Sequence, residues 1–382
     1  MTATLDRAPV QSPRSSRRFL ADLDSRGQVV EHLTPNWFAA VMGTGIVANA
    51  AAAVASQSPV VMGFATVVWL AATALLLVIS VGFATHWVRH PDTARSYAAH
   101  PVMSHFYGAL PMAILTVGAG TVRFGPTFLG SGVATAIGFA LWGLGTAIGL
   151  FTTVWVPYAM ITQPHRHESM ALPAWLMPIV PPMVSAATGA ALIDAVPAGQ
   201  ARLLMLAFCY ALFGLSLILG MTTMTLIYAR LVRGGVPTGA AAPTIWITLG
   251  MIGQSITAVN LLAAHAGSVF TGDETAIALG LKVFGIVYGL AMGGFGCAMF
   301  TLATCLTVRA FRRGLPFALT WWSFTFPIGT CVTGLAALGV ALNASVIHGA
   351  ADVLYVVLVV AWAVVATRTA RGVFSGRIFL PA

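Results

Sequence analysis

Acidic side chains are scarce in this sequence. Asp and Glu together number 10 in 382 residues, and charged residues of both signs make up 8%. A soluble domain carries about 25%. With 58% of the chain apolar, a water-soluble fold of this length could not hide its greasy surface, so lipid is the solvent for most of it. Cysteine is sparse as well. Cys209, Cys297, Cys305 and Cys331 all fall inside apolar runs with no CxxC spacing, which argues against a disulfide scaffold or thiolate zinc site and for buried free thiols. No Ser/His/Asp set, glycine-rich phosphate loop or intramembrane carboxylate pair is visible, so enzymatic chemistry is not expected. No histidine pair sits deep in the apolar runs, as a haem protein would need. His86 and His90 share a helical face but read as interfacial residues rather than metal ligands. Neither a metal nor a cofactor is expected. The net charge of +9 would suit nucleic acid, but the basic residues lie between apolar runs and form no compact patch.

What is there is a series of apolar blocks, each about the 20 residues a membrane-crossing helix needs. Ten qualify, near 35–54, 60–85, 103–122, 128–155, 172–192, 203–228, 243–265, 276–307, 317–341 and 346–367. The fold class expected is therefore all-α and integral to the membrane. If the N-terminus is cytoplasmic, Arg123, Arg202 and Lys282 fall outside, and the other 16 of the 19 Lys and Arg fall inside. So large a bias satisfies the positive-inside rule and puts both termini in the cytoplasm. Residues 1–34 read as a basic, partly disordered, retained tail. Residues 35–370 form the membrane domain, and 371–382 a short cytoplasmic tail.

Odd-numbered blocks begin near 35, 103, 172, 243 and 317, a spacing of 68 to 74 residues. Five helical hairpins of similar size are implied. Proline follows the same division. Pro111, Pro178, Pro181, Pro182 and Pro327 lie inside odd blocks, while no even block as bounded here has an interior proline. An interior proline frees a carbonyl, and in lipid that carbonyl must face protein or water. The odd helices are thus expected to form an inner ring around a central pore, with the even helices outside.

The odd blocks carry small, weakly polar groups in place of charge. Candidate pore-lining residues are Gly43, Thr44, Gly45, Pro111, Thr188, Gly189, Gly253, Gln254, Gly329 and Thr330. Such residues can line a narrow polar conduit, and they can equally let helices pack closely. No acidic ring suited to a cation path is available, and the basic cytoplasmic face would gather anions. The run Trp321-Trp322-Ser323-Phe324-Thr325-Phe326-Pro327 puts an aromatic against a proline in an inner helix. A ring there could plug the conduit or could serve ordinary packing or an interfacial belt.

The stretches PNWFAAVMGTGIV (35–47), AWLMPIVPPMVSAATGA (174–190), PTIWITLGMIGQS (243–255) and TWWSFTFPIG (320–329) resemble the tellurite-resistance/dicarboxylate transporter family. That family includes fungal malate and sulfite transporters and the plant guard-cell slow anion channel. The resemblance covers essentially 35–370. It implies ten helices in five hairpins, odd helices lining the pore, and a homotrimer with one pore per subunit in the plasma membrane. It also implies a pore phenylalanine in the ninth span, which maps onto Phe326, with Phe324 as the fallback. The expected function is efflux of small anions such as sulfite, passive or weakly coupled. The alternative is C4-dicarboxylate (malate) transport, possibly proton-coupled.

Overall fold

Apolar runs in lipid have no water to satisfy their peptide groups, so the backbone must bond to itself, and a helix does this within one segment. The computed structural model describes residues 19–23, 25, 27–54, 58–163 and 171–380. Most of the expected basic N-terminal tail lies outside the described residues. The principal helices are α1 (Phe38–Val54), α2 (Pro59–Arg89), α3 (Ala109–Phe124), α4 (Ser131–Thr162), α5 (Pro181–Ala190), α6 (Gln200–Gly234), α7 (Ile247–His265), α8 (Thr275–Arg312), α9 (Phe326–Leu342) and α10 (Ser345–Ser375).

Among the described residues, nine helices are long and apolar enough to cross a membrane. The expectation of ten continuous spans needs correction at the fifth block. Residues 172–192 do not form one helix. Pro173–Leu176 is a 3-10 segment, a turn follows, and α5 runs for only 10 residues. Pro178, Pro181 and Pro182 lack N–H donors, and their rings collide with a preceding helical turn. The helix restarts only where Pro181 and Pro182 fill its first two positions, where no donor is needed.

The odd-numbered helices α1, α3, α5, α7 and α9 touch one another in cyclic order, with α9 returning to α1. Each even-numbered helix packs on the odd helix before it and on the next one round the cycle. Burial follows this division. The apolar windows of the segments holding α1, α3, α7 and α9 are 61% to 94% buried, and those of α2, α4, α6, α8 and α10 are 17% to 33% buried. Exposed Val, Leu, Ile and Phe cover the outer helices, as a lipid-facing surface requires. No Asp, Glu, Lys or Arg on the nine long helices lies more than seven residues from a helix end.

All five odd helices are preceded by a 3-10 segment. These are Pro35–Trp37, Met103–Gly108, Pro173–Leu176, Gly239–Trp246 and Leu319–Phe324. The prolines therefore do not kink inner helices midway. Pro111 and Pro327 fall in the first turns of α3 and α9. The exclusion of interior proline from even helices is also corrected. Pro157 lies inside α4, because that helix continues to Thr162, seven residues beyond the apolar block as bounded at 155. Its 32 residues span about 48 Å, well beyond the hydrocarbon thickness.

Candidate functional site

The five inner segments converge on a small cavity. Met42 of α1, Met112 of α3, Val180 before α5, Gly250 of α7 and Phe326 of α9 all border it. Its volume is about 20 Å³, room for roughly one water molecule. Ser323 carries the one hydroxyl among the described residues lining it. Trp322 also borders it, but its indole N–H is taken by Thr369 Oγ1 at 3.2 Å. Apart from Ser323, the side chains that wall it are apolar.

Phe326 stands at this constriction because the sequence stops one structure and starts another beside it. The 3-10 segment ends at Phe324, and α9 begins at Phe326 with Pro327 in its second position. The proline ring fixes φ where a new helix begins. Phe326 is buried and faces the cavity. Phe324, two residues earlier, packs away from it. Its ring meets Trp246 at 5.9 Å, Trp321 at 5.7 Å and Phe311 at 6.5 Å.

The remaining candidate pore residues lie elsewhere, and most serve helix packing. A β-carbon on Gly43 would sit 2.7 Å from Trp322 Cε3, and one on Gly45 would sit 2.7 Å from Thr116 Cγ2. Gly189 is crowded by Cys209 Sγ at 2.7 Å and by Trp142. Gly253 abuts the backbone of Thr330 and Cys331, and Gly329 abuts Ile46. Thr44 Oγ1 accepts the indole N–H of Trp362, on the outer helix α10, at 3.2 Å. Thr188 donates to Val184 O at 2.8 Å, and Thr330 donates to Pro327 O at 2.7 Å. Pro111 turns toward Gly145 and Gly149 of α4. Gln254 is buried, and its Oε1 accepts no hydrogen bond among the described residues.

The carbonyls of the broken fifth segment are also accounted for. Thr153 of α4 donates to Pro178 O at 2.7 Å, and Ser216 of α6 donates to Ile179 O at 2.7 Å. Of the two partners open to such carbonyls, protein or water, these take protein, as hydroxyls of the outer helices.

Reading for glycine and threonine misses the apolar wall, yet a signal for it exists. In each inner segment an aromatic precedes the cavity residue by four or five positions. The pairs are Trp37 and Met42, Tyr107 and Met112, Trp175 and Val180, Trp246 and Gly250, and Trp322 and Phe326. Aligning the five segments on that aromatic finds the constriction.

A ring of buried helices, their few charges confined to the ends, meeting at a small and largely apolar cavity inside a lipid-facing coat, defines a polytopic membrane protein of the transport class. Residues 32–370 match the voltage-dependent anion channel (SLAC1) family, and the chain belongs to it. Among its relatives, an uncharacterized transporter of Methanocaldococcus jannaschii is 27% identical over 93% of this chain and 98% of its own length. The sulfite efflux pump of Trichophyton rubrum is 26% identical over 82% of this chain and 84% of its own. A Schizosaccharomyces pombe protein named for malic acid transport is 22% identical over 92% and 82%.

Proposed function

We propose that the chain conducts small anions such as sulfite out of the cell, along the axis of the inner ring, with Phe326 as the gate. The observation that carries this is the convergence of all five inner segments on a cavity of about 20 Å³ walled by Phe326, far too small for a hydrated anion. Rotation of one ring is the smallest motion that would open it. In this reading the fifth segment, though broken, completes ten crossings arranged as five hairpins. The odd members line the pore, and both termini lie on the cytoplasmic side of the plasma membrane. The 16-to-3 division of basic residues supports that orientation. The assembly proposed is a homotrimer with one pore per subunit.

The inside-negative potential favours exit of an anion by about 2.3 kcal/mol per charge per 100 mV, so efflux needs no partner ion. The similarity to fungal sulfite efflux pumps supports sulfite as cargo. A second reading, C4-dicarboxylate transport, draws on the Schizosaccharomyces pombe relative. Against it stands the cavity of about 20 Å³ at the constriction, which must widen further for a C4-dicarboxylate than for sulfite.

Anion-substitution currents from the reconstituted protein decide between them, with sulfite, malate, nitrate and chloride compared. Sulfite current that persists without a pH gradient and reverses near its equilibrium potential supports the conduit. Malate flux that requires a proton gradient overturns it in favour of the carrier.

A further inference from the structure

At the end of the ring where the 3-10 segments lie, a basin of about 1100 Å³ opens. Leu319 borders both this basin and the axial constriction, so the two adjoin. Arg368 and Arg371 of α10 line the basin, with Arg377, His32, His100 and Tyr97. No Asp or Glu is among its described lining residues. Among the described residues, Asp22 and Glu31 stand near the rim. The Asp22 amide bonds to Ser375 O at 2.9 Å, and the Glu31 charge acts on the Tyr97 phenol, whose pKa is raised chiefly by burial.

The C-terminal turn builds one wall. Gly376 takes a left-handed conformation with φ of 87°, which glycine adopts without strain. The chain reverses there after α10. Arg377–Phe379 then forms a 3-10 turn, and the buried Phe379 ring stacks on Trp37 at 5.1 Å and 14°. That contact holds Arg377 over the basin. Arg368 lies over the Trp321 ring, 4.8 Å from its centroid. The side chains of Arg371 and Arg377 make no hydrogen bond or ion pair with the described residues.

Three guanidiniums lining one concavity without a carboxylate among its described lining residues favour an anion there, and their planar forks match oxyanions better than halides. We propose that this basin binds a doubly charged oxyanion, with sulfite as the transported example, and loads it toward the constriction. The proposal rests on the anion-conduit reading for its choice of cargo. It also supplies what the spans lack, because the arginines that recognise a dianion stand outside the membrane depth.

The test is calorimetric titration of the purified full chain with sulfite and with chloride at low ionic strength. The wild type is expected to bind sulfite more tightly than chloride. Arg371→Gln and Arg377→Gln each weaken sulfite binding about fivefold and chloride binding less than about twofold, as the loss of one near-surface charge pair dictates. Phe379→Ala, which undocks the turn, reproduces Arg377→Gln without removing a charge. Arg233→Gln, an exposed arginine outside the basin, is the control. Equal weakening of both anions, the same loss in the control, or no saturable sulfite binding overturns the proposal. Currents separate this outcome from failure of the conduit. If the arginines bind sulfite but even Phe326→Ala passes no anion, the conduit fails and the basin stands. If current flows and the arginines do not affect binding, the basin fails and the conduit stands.

Discussion

A β-carbon on Gly253 of α7 would fall 2.5 Å from the carbonyl carbon of Thr330 on α9. The two inner helices touch there backbone to backbone, and nothing flexible is available to move aside. Gly250, one turn earlier, is different. Its nearest neighbour would be Pro327 Cγ at 3.5 Å, an ordinary contact. Gly253→Ala is expected to destabilise the protein by about 1 to 3 kcal/mol through overpacking, and Gly250→Ala by far less. Thermal melting of the two variants in the same detergent checks this.

The two phenylalanines of the ninth segment separate in the same way. Phe326→Ala opens the constriction and is expected to raise single-protein anion conductance in a planar bilayer. Phe324→Ala removes a ring held among Trp246, Trp321 and Phe311. It is expected to cost roughly 3 kcal/mol or more of stability, with no gain in conductance. Equal conductance gains from both would remove Phe326 from its assigned place.

The broken fifth segment depends on two hydroxyls from outside the ring. Thr153→Val keeps the volume but leaves Pro178 O without its partner. Ser216→Ala does the same to Ile179 O. Each buried acceptor left unpaired costs about 1 to 3 kcal/mol, and hydrogen exchange at 177–181 is the direct readout. The double variant is expected to loosen that turn more than either change alone.

At the other end of the ring, Asp194 accepts hydrogen bonds from Ser268 at 2.7 Å and from His265 Nδ1 at 2.7 Å. Arg202 donates to the carbonyls of Val196, Ser268 and Asp194. Partial burial pushes the Asp194 carboxyl up. The Ser268 and His265 hydrogen bonds, with the charges of His265 and Arg202, outweigh that and hold it below its ordinary value. A carboxyl depressed by folding stabilises the fold above its unfolded pKa, and this is lost as pH falls through the folded value. Melting temperature is therefore expected to drop as pH goes below about 4. Asp194→Asn removes that dependence and lowers stability at neutral pH.

Much of this architecture was legible in the residues. Apolar length located the long helices, and the separation of buried odd helices from exposed even ones followed their repeat. Composition could not see the break at 172–192, since Pro173–Ala190 is mostly apolar and carries no charged residue. It takes the density of proline, rather than its mere presence, to read that segment as two pieces. Pro157 escaped because the fourth block, bounded at 155, stops short of the helix end at Thr162. The glycines and threonines of the candidate site pack against neighbouring helices for a physical reason. A small residue on an inner helix lowers the cost of close approach on every side, and in this chain the partner is usually another helix. Phe326 was located by resemblance, and Met42, Met112 and Val180 only by position on the axis.

The long helices keep their Asp, Glu, Lys and Arg within seven residues of an end, and this bears on voltage. An electric field does about 2.3 kcal/mol of work per 100 mV on each elementary charge that crosses the full drop. A helix with no charge at depth gives the field no lever, so its movement is electrically silent. The charge that does traverse the drop is the passing ion itself. Any steepness with voltage then has to be borrowed from the permeant anion, and the activation curve should slide along the voltage axis when its concentration is changed.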